Sequence, residues 1–323
     1  MSAPAFIVSL DFELFWAFQD SRTMETYGPN ILGGRKAIPQ MLELFQKHGI
    51  HATWAAVGFL FGENEEELLR YFPEELPTYN NPIRSTYRQF GSAGTDETSA
   101  PHFYGASLIR QIAAVPGQEI GSHTFSHYYC QEPGQTTRQF RADMKAALAI
   151  AADKGFSLKS VILPRNQCEP EYIDVLSELG FTSYRGLEDN WVNWVNARIH
   201  VRPIQRANRL LDVYFPMTGM NCYSPESKGK ILNLKSSRMF KPYFQKLRFL
   251  EGLKLRRIKR QMRYAARHGR VFHLWWHPHN IGVNTERNLQ QLDEIFGYYN
   301  QLKEKYGMRS LNMGEAAEEI LNK

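Results

Sequence analysis

Short runs of apolar, β-branched and aromatic residues recur along the chain, with longer amphipathic stretches between them. This alternation is typical of parallel strands wrapped by helices. Strands are predicted at seven places: 5–10, 52–57, 119–122, 160–163, 181–184, 211–215 and 271–276. The pattern therefore predicts an α/β fold with about seven parallel strands that approach a closed barrel.

Three segments carry apolar residues at helical spacing and are predicted to be outer helices: 34–48, 136–154 and 250–266. Residues 63–104 differ from them, with four prolines and a polar stretch, and predict a loop excursion over the barrel mouth. The chain shows no internal repeat and no linker. We expect one domain over residues 1–323, with an insertion at about 63–104 and a basic helical segment at about 235–270.

The net charge of +6 hides a strong asymmetry. Residues 235–270 contain 13 Lys or Arg and one acid, so this segment carries +12 and the rest of the 323 residues carries −6. Such clustering indicates an anionic partner, which could be a phosphate, a pyrophosphate, a lipid surface or a nucleic acid. A solvated basic helix face explains it equally well.

The N-terminal stretch has no basic leader, and its apolar run is interrupted by Asp11 and Glu13. No run of about 18 apolar residues predicts a transmembrane helix. The three cysteines, Cys130, Cys168 and Cys222, are too few for a disulfide framework. These features favour a cytoplasmic protein.

Candidate metal ligands lie at the ends of two predicted strands. Asp11 and Glu13 are two residues apart, so strand geometry turns both carboxylates to one face. By itself this pair is better explained as a helix N-cap and a solvated glutamate. His123 and His127 are four apart, and a helical turn there would bring both imidazoles within reach of one cation. Two structural histidines are the alternative.

The last predicted strand alternates His273, Trp275 and His277 onto one face. A histidine at the carboxyl end of a barrel strand lies where active sites collect, which favours His277, whereas His273 is expected to be a core residue. Arg165 follows Pro164 at the end of another strand and could hold a carboxylate ionised. A salt bridge without function is the alternative for Arg165.

The order of these motifs resembles the polysaccharide deacetylase family, from residue 6 to about residue 280. The most specific part is His123-Thr-Phe-Ser-His127, where the family has a His, a Ser or Thr, two residues and a second His. The resemblance implies a distorted (β/α) barrel and one divalent metal ion, zinc or zinc-like, held by Glu13, His123 and His127. It also implies Asp11 as general base, His277 as general acid, and Arg165 as the partner of Asp11.

The sequence departs from the family pattern in three places. Phe12 separates two acids that are usually adjacent, so either of them could be the metal ligand. Pro164 precedes the arginine and Asn166-Gln167 follow it, so the backbone donor for an oxyanion would be Asn166 or Gln167. Trp275 stands where a leucine usually lines the acyl pocket, which implies a smaller pocket. Asp189-Asn190-Trp191 is a weaker match to the segment whose acid orients the catalytic histidine.

The resemblance implies a hydrolase that removes an N-acyl group, acetyl in the simplest case, from an amino sugar. An activated water would attack the amide carbonyl, with Asp11 as base and His277 as acid, and a bell-shaped pH–rate profile would follow. Four aromatic residues could be sugar platforms or core: Phe12, Trp16, Trp191 and Trp194. Of these, Trp16 and Trp191 join Trp275 and Asn166 as candidate substrate contacts.

The expected substrate is a nucleotide-linked or lipid-pyrophosphate-linked N-acyl sugar, a precursor of a surface polysaccharide such as O-antigen or capsule. The basic segment 235–270 would meet its phosphates or a membrane surface. Hydrolysis of a small amide or cyclic ureide on the same fold is the first alternative. The second is an inactive carbohydrate- or nucleic-acid-binding protein, against which the intact acid and histidine set argues, and nucleic acid is the less favoured partner.

Overall fold

The computed structural model describes residues 3–18, 21–188 and 203–321. These residues form ten strands: β1 Ala5–Phe12, β2 Ala52–Ala56, β3 Gln118–Ser122, β4 Ser160–Val161, β5 Ser183–Tyr184, β6 Glu226–Lys228, β7 Ile231–Asn233, β8 Arg238–Met239, β9 Val271–Trp276 and β10 Arg309–Leu311. They also form ten α-helices: α1 Met24–His48, α2 Glu65–Leu69, α3 Ala106–Ala113, α4 Thr137–Asp153, α5 Pro170–Glu178, α6 Pro203–Tyr214, α7 Glu251–His268, α8 Pro278–Ile281, α9 Thr285–Tyr306 and α10 Met313–Leu321.

The strands form one curled sheet in the order β6-β7-β5-β4-β3-β2-β1-β9-β8, and β10 also pairs with β1. Every pair is parallel except β6 with β7. The segment after β7 connects the two sides of the curled sheet. Leu234 N donates to Tyr184 O of β5, and Ser237 N donates to His273 O of β9. The α/β prediction is confirmed, because the strands form a curled, mostly parallel sheet. This sheet makes a half-barrel, as in distorted α/β barrels.

One strand prediction was wrong, because residues 211–215 fall largely within helix α6. A five-residue apolar run cannot be assigned to strand or helix by periodicity alone. The burial pattern is not that of a strand, since Leu210 and Leu211 are exposed while Val213 and Tyr214 are buried. The sequence also missed β6, β7, β8 and β10, which are two or three residues long and too short to show a period.

The outer helices agree with the predictions at 136–154 and 250–266, but α1 begins ten residues before the predicted 34–48. Thr23 caps α1, and Pro29 and Gly33-Gly34 within it obscured the helical pattern in the sequence. Gly34 has a packing role, because a Cβ there would lie 2.6 Å from the Cα of His279. The missing side chain lets α8, and the His277–His279 segment with it, pack directly on α1.

The two faces of β1 show how the sequence positions the site. Outward residues Phe6, Val8, Leu10 and Phe12 join the large core under the helices. The inward residues change from apolar to polar along the strand. Ala5 and Ile7 belong to a small apolar cluster that α10 covers, and Ser9 and Asp11 follow them. The polar part of the interior therefore lies at the carboxyl ends of the strands, where barrel active sites collect.

The excursion 63–104 carries α2 and several turns, and it packs on the barrel through aromatic side chains. Phe72 and Phe90 contact Phe59 with ring centroids 5.9 and 4.9 Å apart. Arg84 also reaches Glu132 at 3.4 Å, which ties the excursion to the loop after β3. None of the helices among the described residues has the length and apolar character needed to cross a bilayer.

Candidate metal centre

Two buried carboxylates and a histidine face one another at the carboxyl ends of β1 and β9. Asp11 is 4% and Glu13 3% exposed. His277 Nε2 lies 3.6 Å from Asp11 Oδ2 and 3.6 Å from Glu13 Oε1. The intervening Phe12 points into the core, where its ring meets Trp54 edge-on. The two-residue spacing therefore sends both carboxylates to one side, despite the inserted phenylalanine.

The two histidines after β3 complete a triad with Glu13. Glu13 Oε2 lies 3.2 Å from His123 Nε2 and 3.2 Å from His127 Nε2. They do not meet on a helix as expected, because the segment is an irregular turn with Thr124 and His127 at φ +64° and +56°. The spacing brings the rings together through this turn, with ring centroids 5.1 Å apart.

A buried carboxylate of α4 fixes the shape of that turn. Asp143 is fully buried and accepts hydrogen bonds from Phe125 N at 2.8 Å, from Ser126 N at 3.2 Å and from the Ser126 hydroxyl. Burial raises the pKa of Asp143 to about 6, although these hydrogen bonds oppose the shift. Sequence reasoning missed this residue, because nothing in the pattern of α4 separates it from a solvated acid.

The donor set of Glu13, His123 and His127 fits a tetrahedral divalent ion. Ligand atoms at about 2.0–2.1 Å from zinc in a tetrahedral site lie about 3.3 Å apart, close to the 3.2 Å between Glu13 and each imidazole. Two imidazoles with one carboxylate are a donor set that zinc accepts. Among the described residues, Nδ1 of His123 and Nδ1 of His127 are buried without hydrogen-bond partners, so packing and the turn itself orient both rings.

Arg185, rather than Arg165, holds Asp11. Its guanidinium is fully buried and forms a two-pronged pair, with Nη1 2.7 Å from Asp11 Oδ1 and Nη2 2.8 Å from Oδ2. Nε donates to Asn166 Oδ1 at 2.9 Å, Nη1 donates to Ser9 Oγ at 3.0 Å, and the group lies 4.2 Å from the Trp275 ring. The guanidinium is therefore fixed on every side.

Arg165 lies at the rim, in a turn where its φ is +56°. It pairs with Glu132 at 2.8 Å and lies 4.1 Å over the ring of Tyr129. The expectation that Arg165 would hold Asp11 is thus corrected. A signal for Arg185 was present in the sequence, since it directly follows the predicted strand 181–184, but sequence alone could not rank the two arginines.

The backbone N–H groups of Asn166 and Gln167 are not the oxyanion donors that the sequence suggested. Asn166 N donates to Leu163 O at 2.8 Å, and Gln167 N donates to Pro164 O at 3.3 Å. Both groups are used within the turn after β4. Asn166 serves the site through its side chain instead, as an acceptor for the Arg185 guanidinium.

The charges of the centre stabilise both ionised carboxylates. Burial would raise the pKa of Asp11, but Arg185 and then His277 outweigh it and lower that pKa. Burial likewise opposes ionisation of Glu13, whereas His277 and the hydrogen bonds from His123 and His127 hold its pKa well below its usual range. Burial lowers the pKa of His127, which favours the neutral form of the ring that a metal ligand must have.

The His277 ring is oriented by its own loop. Asn280 Nδ2 lies 3.3 Å from His277 Nδ1, and the Tyr27 hydroxyl donates to Asn280 Oδ1 at 3.5 Å. The other ring nitrogen, Nε2, faces the two carboxylates. Asp189, the sequence candidate for orienting this ring, lies outside the described residues. His273 is a satisfied core residue, with Nε2 2.8 Å from Ser9 Oγ.

The three tryptophan candidates have different outcomes. Trp275 is partly exposed and lies between Arg185 and His277, whose ring centroid is 5.6 Å away. Trp16 is not a sugar platform, because it is 0% exposed, donates from Nε1 to Phe103 O at 2.7 Å and packs within the aromatic core. Trp191, like Trp194, lies outside the described residues.

The basic segment is less exposed than its charge suggested. Arg257 is buried and bonds Asp212 at 2.8 Å, and buried Lys254 pairs with Glu251 at 2.6 Å. Lys259 forms an ion pair with Glu294 at 2.7 Å. Arg257 and Lys259 therefore support packing and surface pairing, and the exposed charges of α7 are those at 256, 260, 263 and 267.

Part of the chain matches a known protein family. Residues 26–184 match the family model described as polysaccharide deacetylase. A search of curated proteins finds no match to the chain.

Solved structures of low sequence identity share the fold. A Mycobacterium smegmatis protein described as a polysaccharide deacetylase superposes with TM-score 0.61 at 13% identity, covering 99% of this chain and 91% of that one. Puue allantoinase gives 0.56 at 14%, with 98% and 89% covered. The 4-alpha-glucanotransferase from Thermococcus litoralis gives 0.52 at 13%, with 98% and 40% covered. Proteins with such different names show that this fold alone does not decide the reaction.

Proposed function

We propose that this chain, whose residues 26–184 match the polysaccharide deacetylase family model, is a metal-dependent hydrolase that removes an N-acyl group, acetyl in the simplest case, from an amino sugar. The observation that carries the proposal is the convergence of Glu13, His123 and His127 beside a second carboxylate and a further histidine. A metal triad next to a separate acid and base is an arrangement that supports metal-assisted hydrolysis of an amide.

Glu13, His123 and His127 would hold the ion, and zinc suits their two imidazoles and one carboxylate. When bound, the ion supplies Lewis acidity and makes water more acidic. Asp11 accepts the proton of the attacking water, and the Arg185 guanidinium keeps this carboxylate ionised and aimed. Arg185 thereby takes over the role that the resemblance implied for Arg165.

His277 supplies the proton for the departing sugar nitrogen. Its Nε2 faces the same space as Asp11 and Glu13, and Asn280 holds the ring from the other side. Because acid and base are separate groups, the rate requires one to be protonated while the other is ionised. Trp275, fixed against Arg185, forms the wall where a compact acyl group such as acetyl would lie.

The proposed substrate is an N-acyl sugar linked to a nucleotide or a lipid pyrophosphate, as in assembly of a surface polysaccharide. Four exposed cations support this: Lys246, Arg248, Arg256 and Arg260. Phe249 follows Arg248 in the chain and has 75% of its surface exposed, and an exposed aromatic ring beside basic residues suits an anionic membrane surface.

Charge reversal at these four positions tests the phosphate-linked substrate. We expect weaker binding of sugar nucleotides, or less co-sedimentation with vesicles containing anionic lipid, at unchanged metal content. The matched control is charge reversal at four exposed cations on other parts of the surface, which are Lys47, Arg70, Arg138 and Arg309. Equal binding by both variants would contradict the role of this patch.

The function itself is tested by metal content and hydrolysis together. The wild type should bind near one tight equivalent of zinc and release acetate from N-acetyl sugar nucleotides, and the double variant His123→Ala, His127→Ala should lose both properties. Elemental analysis after dialysis and an acetate assay measure them. A wild type without bound metal, even after zinc is added, would leave a carbohydrate-binding protein as the better explanation.

A second candidate is hydrolysis of a small amide or cyclic ureide, which the structural similarity to Puue allantoinase favours. The same donor residues and acid–base pair would serve that reaction. Hydrolysis of allantoin or a similar ureide, with no acetate released from N-acetyl sugars, would favour this candidate over the deacetylase.

A further inference from the structure

Glu13 presents its two oxygens to two different groups of histidines. Oε2 lies 3.2 Å from Nε2 of His123 and of His127, whereas Oε1 lies 3.6 Å from Nε2 of His277. One carboxylate can bridge two cations in this way, as in hydrolases whose paired metals lie about 3.5–4 Å apart. A cation on the His123 side therefore leaves one Glu13 oxygen directed to the opposite side.

His279 adds a third donor on that opposite side. Donor atoms of Glu13, His277 and His279 all lie within 4.8 Å of one another. The His279 ring is 4.9 Å from the His277 ring and is 4% exposed. Asp11 Oδ2, 3.6 Å from His277 Nε2, lies close enough to add negative charge.

The surroundings of His279 hold it in place and keep it neutral. Its ring is packed edge-on against Phe18 and Tyr27, at 5.0 and 5.6 Å between centroids, and its backbone rests on Gly34. Burial, with the nearby His277, lowers the pKa of His279 to about 3. The ring thus offers a lone pair at neutral pH, and the proposed reaction makes no use of it.

We propose that Glu13, His277 and His279 form a second divalent-cation site, and that a cation bound there inhibits the hydrolase. Two imidazoles and a carboxylate are the same donor set as in the first site, so zinc or a similar ion suits both. The second site is weaker, because it shares Glu13 and lies beside another cation. A cation bound there would displace the Nε2 proton of the protonated His277 ring to solvent, and the ring would keep its Nδ1 proton, so His277 could no longer donate from Nε2 to a leaving group.

Zinc binding measures the site directly. We expect the metal-free full-length protein, dialysed against increasing Zn²⁺, to bind two equivalents, the second at least tenfold more weakly. His279→Ala and His279→Gln should keep the first equivalent and lose the second, whereas His123→Ala should lose the tight one. The control His268→Ala removes an exposed histidine and should keep both. Saturation of the wild type at one equivalent, or a second equivalent that persists in both His279 variants, would overturn the proposal.

A second readout does not depend on how the variants fold. Two Mn²⁺ ions about 4 Å apart in the wild type should give the electron paramagnetic resonance spectrum of a coupled pair, and only isolated ions at saturation would overturn the site. Inhibition by the second cation rests on the proposed function. It is measured for each variant as the ratio of hydrolase activity with excess zinc to activity with one equivalent of zinc. This ratio should fall in the wild type and stay near one without His279.

The two proposals fail differently. Two bound equivalents without any acyl hydrolysis would remove the hydrolase and keep the site. One bound equivalent in an active enzyme would remove the site and keep the hydrolase.

Discussion

Replacing Arg185 by methionine removes the positive charge of the buried pair but keeps an apolar chain of similar length. The wild-type guanidinium makes two bonds to Asp11, one to Asn166 and one to Ser9, with none of its surface exposed. Removing one partner of a buried ion pair leaves the other charge uncompensated and costs about 3–5 kcal/mol. We expect a loss of this size in the free energy of unfolding, measured by urea denaturation at pH 7.

The matched control is Arg165→Met. Arg165 also pairs with one carboxylate and lies over one aromatic ring, but 37% of its side chain is exposed, and exposed pairs contribute about 1 kcal/mol or less. The sequence could not tell which of the two arginines pairs with Asp11. The difference in unfolding free energy between the two variants therefore measures the effect of burying the ion pair. Equal costs for both variants, or a loss below about 1 kcal/mol for Arg185→Met, would refute the reasoning.

The same substitution predicts how stability and activity depend on pH. The lowered pKa of Asp11 means that its pair stabilises the folded protein above the unfolded pKa, and that this contribution is lost as pH falls through the folded pKa. The difference between wild type and Arg185→Met should therefore shrink in acid. Loss of an adjacent cation raises a carboxyl pKa by about 1–3 units, so the acid limb of kcat/KM should move to higher pH by a similar amount. An acid limb that does not move would exclude Asp11 as the base.

Three further substitutions test the supports of the site. Asp143→Asn should weaken zinc binding about 10–100-fold, since it loosens the histidine turn. The pKa of Asp143 is raised to about 6, so its contribution to the free energy of unfolding is present below the pKa that Asp143 has in the unfolded chain and is lost as pH rises through 6. Denaturation at a series of pH values should show this trend in the wild type and not in the variant. Gly34→Ala should lower kcat and destabilise by about 1–3 kcal/mol, because its Cβ would meet the His279 backbone at 2.6 Å; unchanged kcat would exclude that packing role. Trp16→Ala should cost about 3–5 kcal/mol in unfolding free energy with little change in KM, and a KM effect at full stability would restore Trp16 as a substrate contact.

The sequence by itself predicted the fold class, and its resemblance to a known family predicted which residues would form the candidate metal triad. Strand periodicity places Ser9, Asp11 and Glu13 on one side of the chain whatever surrounds them, and this was enough to predict that the two acids face one site. The four-residue spacing of His123 and His127 keeps their rings close even though the turn is not a helix. The alternation along β1 depends only on neighbours in the chain, whereas the histidine turn also depends on the Asp143 carboxylate of α4.

Only the tertiary structure decided which distant groups meet. Arg165 and Arg185 both follow strands, but a left-handed residue turns the first toward Glu132, while the curl of the sheet brings the second to Asp11. Likewise, the net charge along α7 does not predict that Arg257 is buried against Asp212. Partner choice and burial depend on how elements far apart in sequence pack together, and a one-dimensional pattern of residue types does not contain those distances.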